Sequence, residues 1–517
     1  MLHVSIIVEL LRARPALTVW IAAGIQAMVW TLVPGWFYSA PPGNLPAVLA
    51  IGHEFQLGTY LGPPLAFWLA EITFRLTGRS LFAIYLLSQV CVVVTYWAVF
   101  TLGRAIVGAQ QAAIAVLLLV GVSTFTVATP EFGPVVLAMP LWAVTLLHYW
   151  WVVEERRSVY KYALAADVAL LLLTTYAGLL LVGLLLAFTF ANTRTRPLLR
   201  SPDLWPAGIA AAALLFPHLY WVVRTSDELL PALARLRAPE SITGNFTAWL
   251  RQLALLLGAH AGLIVLLGLV IGWPWAEAEP APVIVGRTMA PFARRFVYFF
   301  AAMPALLATI ASVVAGLPGP LGGIAPLLVL SGLAVVVAAG EAIALSRQRL
   351  VIATWFGLLL IPPALAVLAL ATLPWLGIDL AVNQPADAMG RFFADSFQRR
   401  IGKDLPIVAG DPRTAALIEL AAATRPSLYL DATPSRSPWV SMQDVMTRGA
   451  IVVWPTTDTA GIPPPEIKER FPDLVPELPR AFERAVQGQL PLLHIGWAVI
   501  RPQAAPDLAA PAAELKP

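Results

Sequence analysis

Charge is what this chain has least of. Only 12% of its 517 residues are Asp, Glu, Lys or Arg, about half the share of an ordinary soluble domain. With 59% hydrophobic residues and a mean hydropathy of +0.75, this shortage excludes a soluble globular protein. Cys91 is the sole cysteine, so no intrachain disulfide forms. The net charge of +4 is scattered over the connections between apolar blocks and leaves no footprint for nucleic acid. Residues 37–74 contain no Lys or Arg at all.

What is present is a succession of apolar blocks of ~20 residues over roughly the first 375 positions, which reads as about eleven membrane spans. Basic residues orient them, because cytoplasmic connections collect Lys and Arg. Arg12 and Arg14 precede the first block, 16–33, and put the N-terminus inside. A cleaved signal peptide, with Ser39-Ala40 as its small-residue site, is the alternative for this block. Trp20 and Trp30 and the length of the block favour a span. Blocks at 81–102, 112–128 and 135–153 follow, then 162–191, which splits at Thr174-Thr175-Tyr176 into two short spans. Further spans fall at 205–223, 253–271, 299–317, 324–345 and 352–376. The expected layout is a transmembrane domain over 1–376, with an outer loop at 37–80, a periplasmic α/β domain over 377–503 and a disordered tail over 504–517. In the outer domain, 405–409, 427–431, 449–454 and 494–500 read as strands. Helices are expected from Pro412 to Ala422 with Asp411 as N-cap, at 443–448, and at 479–487. No glycine-rich phosphate loop lies among them.

The first outer loop is the informative one. Pro63-Pro64 starts a helix whose Leu65, Trp68, Leu69 and Ile72 share a face, with Arg75 and Arg79 at its end. That is the build of an interfacial helix, and an anchoring aromatic belt is the plainer reading of Trp36, Phe37, Tyr38, Tyr60, Phe67 and Trp68. The order of parts along the whole chain resembles the type C glycosyltransferases of the bacterial protein O-mannosyltransferase and lipid A aminoarabinose transferase kind. The resemblance rests on the long outer loop ending in Pro-Pro-Leu and on Phe74-Arg75-Leu76-Thr77-Gly78. It rests further on Thr129-Pro130-Glu131 where the family has Thr-Pro-Asp, Thr175-Tyr176, Pro217-His218-Leu219-Tyr220-Trp221, and the outer α/β tail.

The resemblance implies a glycosyltransferase of the bacterial inner membrane, moving a hexose or pentose from a polyprenyl-phosphate carrier to a lipid, glycan or protein acceptor on the periplasmic face. It also implies an acidic pair early in the first outer loop, an acid in the second, and basic residues or a divalent metal (Mg or Mn) at the lipid-linked phosphate. A hydroxyl nucleophile needs a positioned base, and a departing phosphate needs positive charge. The sequence departs from this pattern three times: the acidic pair falls at Gly43-Asn44, the His before Pro-Pro is Gly62, and the Lys before Tyr176 is Thr175.

Glu54 is the only carboxylate between Phe37 and Ala70, with His53 beside it, and is the candidate base; a solvated loop pair is the alternative. Glu131 is the second catalytic candidate, orienting an acceptor or a metal, or else merely opening the fourth span. His53, Tyr60, Tyr176, His218 and Arg224 are the candidate substrate contacts, Arg224 for the donor phosphate or else as a snorkelling side chain. Asp227 and Glu228 lie on the same side. His148, Asp167 and His260 lie within spans, where an ionisable group is costly and a functional candidate. The departures motivate a rival, a catalytically degenerate relative that binds or presents a lipid-linked sugar. A secondary transporter fits less well, because the spans show no matching halves.

Overall fold

The computed structural model describes residues 2–155, 157–225, 242–271, 282–314, 317, 319–345, 347–430, 436–457 and 461–503. Asp227, Glu228 and the tail from 504 lie outside them. The chain divides into two compact units. One comprises Met1–Val48 and Phe55–Thr372; the other joins Leu49–Glu54 to the chain from Leu373 onward.

The first unit is helical because its apolar runs leave the backbone no solvent partner, so each run satisfies its own N–H and C=O groups. In order come α1 (Leu2–Ala13), α2 (Pro15–Phe37), α3 (Leu45–His53), α4 (Leu65–Leu76) and α5 (Leu81–Ile106). Then follow α6 (Ala109–Leu119), α7 (Pro134–Glu154), α8 (Ser158–Leu172), α9 (Gly178–Ala191) and α10 (Leu204–Arg224). Further on lie helices Ile242–Ala259, Ala261–Ile271, Pro291–Val314, Ser331–Ala339 and Gln348–Thr372. Among the described residues, six helices are long and apolar enough to cross a membrane, or seven if the pair bent by 54° at His260 counts as one. The expected eleven spans are therefore matched only in part. The third is the short α6 followed by turns, and the tenth breaks into a 3-10 turn (Ala325–Leu328), a nine-residue helix and strand β2 (Ala342–Ala344). β2 pairs antiparallel with β1 (Val283–Val285), tying the end of the block read as the tenth span to a connection read as a plain loop.

Polar groups inside this unit are bonded across helices. Tyr96 donates to Gln26 Oε1 at 2.9 Å, His148 on α7 bonds Asp167 on α8, and His260 Nε2 meets Ser331 Oγ at 2.8 Å. Such bonds accompany large aromatic packing: Tyr149, Phe188, Phe296 and Phe300 form one cluster. Far along α2 from its Phe37 end, a cavity of about 260 Å³ opens among α1, α2, α6 and the helices Ala261–Ile271, Ser331–Ala339 and Gln348–Thr372.

The second unit carries a five-stranded sheet in the order β4-β3-β5-β7-β6. Its strands are β3 (Ile407–Gly410), β4 (Ser427–Leu430), β5 (Ala450–Pro455), β6 (Pro476–Phe482) and β7 (Leu493–Ile500). β3 runs parallel to β4 and β5, and β7 antiparallel to β5 and β6. The buried runs of β3 and β5 are near-continuously apolar, as a sheet covered on both faces requires. Asp411 caps helix Pro412–Ala421, accepting from Thr414 N–H at 2.9 Å, as expected. The helix expected at 479–487 is not there: 476–482 form β6 with alternating exposure. Pro479, which lacks an N–H, is tolerated because β6 is the sheet edge.

Candidate functional site

In the first unit, the loop after α2 turns back through Gly43, whose φ of +50° is a left-handed conformation open to glycine at little cost. Asn44 N–H donates to Glu131 Oε1 at 2.7 Å. A Cβ on Gly43 would lie 2.0 Å from the Glu131 carboxyl carbon, so backbone and carboxylate are in direct apposition. Glu131 thus closes on the Gly43-Asn44 turn. The turn bearing Glu131 is itself held from below: Gln89 on α5 donates to Thr129 Oγ1 at 2.9 Å, and Thr129 donates to Thr126 O at 2.6 Å. Glu131 is half-buried. One of its carboxylate lone pairs is used by Asn44, and the others remain for a hydroxyl or amine.

A second cluster joins the rest of this loop to two further elements. His218 on α10 is 3% exposed. Its Nδ1 donates to Leu57 O at 2.7 Å, and because a carbonyl only accepts, Nε2 is left to accept from Tyr176 O–H at 3.2 Å. The Tyr176 and Trp221 rings each stack with the imidazole, at 5.8 and 6.0 Å between centroids. Leu65 N–H donates to Leu173 O at 2.9 Å, fixing the start of α4 beside the same turn. Tyr60 sits at the corner of a tight turn closed by reciprocal Thr59 and Gly62 backbone bonds of 3.0 and 3.1 Å. Arg224 is elsewhere on α10. It lies exposed over Tyr220, whose hydroxyl oxygen accepts from its Nε at 3.1 Å.

α4 buries Ala66, Phe67, Ala70, Glu71 and Phe74, while Ile72 faces outward, so its inward face is rotated from the apolar stripe read in the sequence. Glu71 is wholly buried and pairs with Arg75 Nε at 2.5 Å. Arg75 also covers the Phe55 ring at 4.8 Å. Sequence reading passed over this pair, although its i, i+4 spacing is the signal that marks it.

Glu54 and His53 belong by their packing to the second unit. The Glu54 carboxylate accepts from the Ser427 hydroxyl and the Leu428 N–H at the start of β4. Burial raises its pKa above the ordinary 4.5; those hydrogen bonds, His53 and Arg448 pull in the opposite direction. Just before β4, the buried Arg425 pairs with the buried Glu419 and donates to Leu49 O at 3.4 Å. Loop residues 49–54 are thereby gripped at both ends by the segment 425–428. No sequence motif marks these partners, because they are separated from the loop by more than 370 residues.

Among the described residues the donor set does not suit a divalent metal. Among the described residues no three His, Cys, Asp or Glu side chains converge. Glu131 faces an amide hydrogen at the position where a second carboxylate would be needed, and an N–H donor opposes a cation.

Residues 62–221 match the family model described as dolichyl-phosphate-mannose-protein mannosyltransferase. The fold is shared with ArnT from Cupriavidus metallidurans bound to undecaprenyl phosphate, at a TM-score of 0.56 and 15% identity over 93% of this chain and 97% of that one. The apo form of the same protein gives a TM-score of 0.55, again at 15% identity, over 94% and 98%. No curated protein matches the chain in sequence. The resemblance read from the sequence agrees with both findings: residues 62–221 match the mannosyltransferase family model, and the chain shares the fold of ArnT.

Proposed function

We propose that the protein transfers a sugar from a polyprenyl-phosphate carrier to a hydroxyl or amine of a lipid, glycan or protein acceptor at the outer face of the bacterial inner membrane. The acceptor oxygen or nitrogen attacks the anomeric carbon, and the bond from that carbon to the phosphate oxygen breaks. Polyprenyl phosphate leaves with the electron pair, and Glu131 takes the acceptor's proton. Arg224, with Tyr220, meets the departing phosphate. His218, Tyr176 and Tyr60 hold the loop that flanks the sugar. The observation that carries the reading is the apposition of the Glu131 carboxylate to the Gly43-Asn44 turn, which replaces an acidic pair by one carboxylate oriented by a peptide N–H. No step is assigned to a metal.

Glu54 is proposed as a positioning residue, since its carboxylate accepts from Ser427 and Leu428 within the second unit. On this reading Glu54→Gln keeps transfer within about tenfold, while Glu131→Gln loses ~10²-fold or more. A second reading, a binder that presents a lipid-linked sugar without transferring it, is favoured by the three departures at Gly43-Asn44, Gly62 and Thr175. Vesicles holding the full chain, a labelled polyprenyl-phosphate sugar and a panel of hydroxyl and amine acceptors separate the two. Labelled product supports transfer, and donor binding with no product from any acceptor supports the binder.

A further inference from the structure

The cavity of about 260 Å³ is lined by apolar side chains from Ile7, Leu11, Ala22, Leu118, Val336 and Trp355, among others. Its two polar lining residues do not make it hospitable to water. Thr18 donates its hydroxyl to Arg14 O at 3.3 Å, four residues back, and Gln348 is the other. A buried water needs two to four polar partners, which this lining does not supply. Hydrocarbon is the available filler in a unit of membrane-crossing helices.

The mouth is basic. Arg12 and Arg14 follow Leu11 directly, and Arg347 and Arg349 bracket Gln348. Arg14, Arg347 and Arg349 are exposed, whereas Arg12 is partly engaged by Glu9 at 3.4 Å and by Val283 O at 3.2 Å. Basic pockets between membrane helices collect anionic lipid headgroups. The place matters too. The lining residues of α2, Thr18 to Ile25, lie ~18–28 Å along the helix from Phe37, beyond which the loop with Gly43 begins. A headgroup held at this mouth is therefore in the opposite half of the bilayer from Glu131 and is not a reacting phosphate.

We infer that this cavity holds a hydrocarbon chain of an anionic bilayer phospholipid, with its headgroup among Arg12, Arg14, Arg347 and Arg349. The inference does not depend on the transfer reaction. It is tested on the purified full chain by native mass spectrometry, titrating phosphatidylglycerol, phosphatidylcholine of the same chains, and undecaprenyl phosphate. One phosphatidylglycerol is expected to bind at least tenfold more tightly than phosphatidylcholine. The combined substitutions Arg14→Gln, Arg347→Gln and Arg349→Gln, all at exposed positions, are expected to weaken it about tenfold or more. Ala22→Phe, which fills the cavity, is expected to abolish the bound lipid, and Ala22→Leu does the same with less disturbance should the larger residue unfold the chain. Equal binding of the two phospholipids overturns the headgroup assignment. Preferential binding of undecaprenyl phosphate that Ala22→Leu removes overturns the choice of occupant. Absence of any retained lipid overturns the site.

Discussion

Gly43→Ala is the substitution through which the geometry around Glu131 is most sharply tested. Two costs arise and they are separable. The first is conformational: an L-residue at φ +50° costs ~1–2 kcal/mol. The second is steric. The new Cβ would sit 2.0 Å from the Glu131 carboxyl carbon and 2.1 and 2.3 Å from its oxygens, so the carboxylate must move by about an ångström or more. That displacement breaks the 2.7 Å bond from Asn44 N–H, a hydrogen bond to a charged group, at ~1.5–3 kcal/mol. Gly78→Ala supplies the control. Its φ of +68° imposes the same backbone cost, but a Cβ there meets nothing within 4 Å. Gly78→Ala should lower the thermal midpoint by the backbone cost alone, and Gly43→Ala by that cost plus the ~1.5–3 kcal/mol of the lost hydrogen bond. Only Gly43→Ala should then lose sugar transfer, by ~10²-fold, the scale of an ångström-sized misplacement of a catalytic group. Donor binding, measured with the labelled carrier, should survive in both. Equal transfer by the two variants would refute the apposition of Glu131 and the loop as the source of activity.

Other outcomes follow from the same contacts. His218→Ala leaves Leu57 O and Tyr176 O–H without their buried partner and should cost ~1–3 kcal/mol in thermal stability while raising the KM for donor more than it lowers kcat. Glu419→Gln leaves the buried Arg425 guanidinium without its counter-charge. It should destabilise the second unit by ~3–5 kcal/mol, read as faster hydrogen exchange along β4 and in residues 49–54. Burial raises the Glu54 pKa, so the folded protein binds that proton more tightly than the unfolded chain does. Stability therefore falls as pH rises from about 4.5 through the raised value, and Glu54→Gln should flatten this slope in melts taken across that window.

The sequence made the membrane unit legible because apolar length is a strong signal and survives without any partner. It failed at the third and tenth blocks, where glycines and turns shorten a helix within an apolar run that hydropathy alone continues through. The sheet of the second unit was readable at β3, β4, β5 and β7, whose buried strands are nearly pure runs of apolar residues. The edge strand β6 was not, because its Pro- and Glu-rich alternation resembles the start of a helix. Within the site, Glu131 could be singled out from its place in a short turn, and Tyr176 and His218 from their local strings. That the two meet, and that Arg224 lies over Tyr220, depends on the roll of α10, which a single apolar run does not encode. The partners of Glu54 were out of reach for another reason. Ser427 and Arg425 owe their role to a pairing across nearly the whole chain.

The most direct measurement is single-turnover transfer by Glu131→Gln and by the unaltered protein in the same vesicles, with carrier binding recorded on each sample. The account predicts that both bind the labelled polyprenyl-phosphate sugar equally and that only the unaltered protein converts it to product. Transfer by Glu131→Gln at the unaltered rate would contradict it.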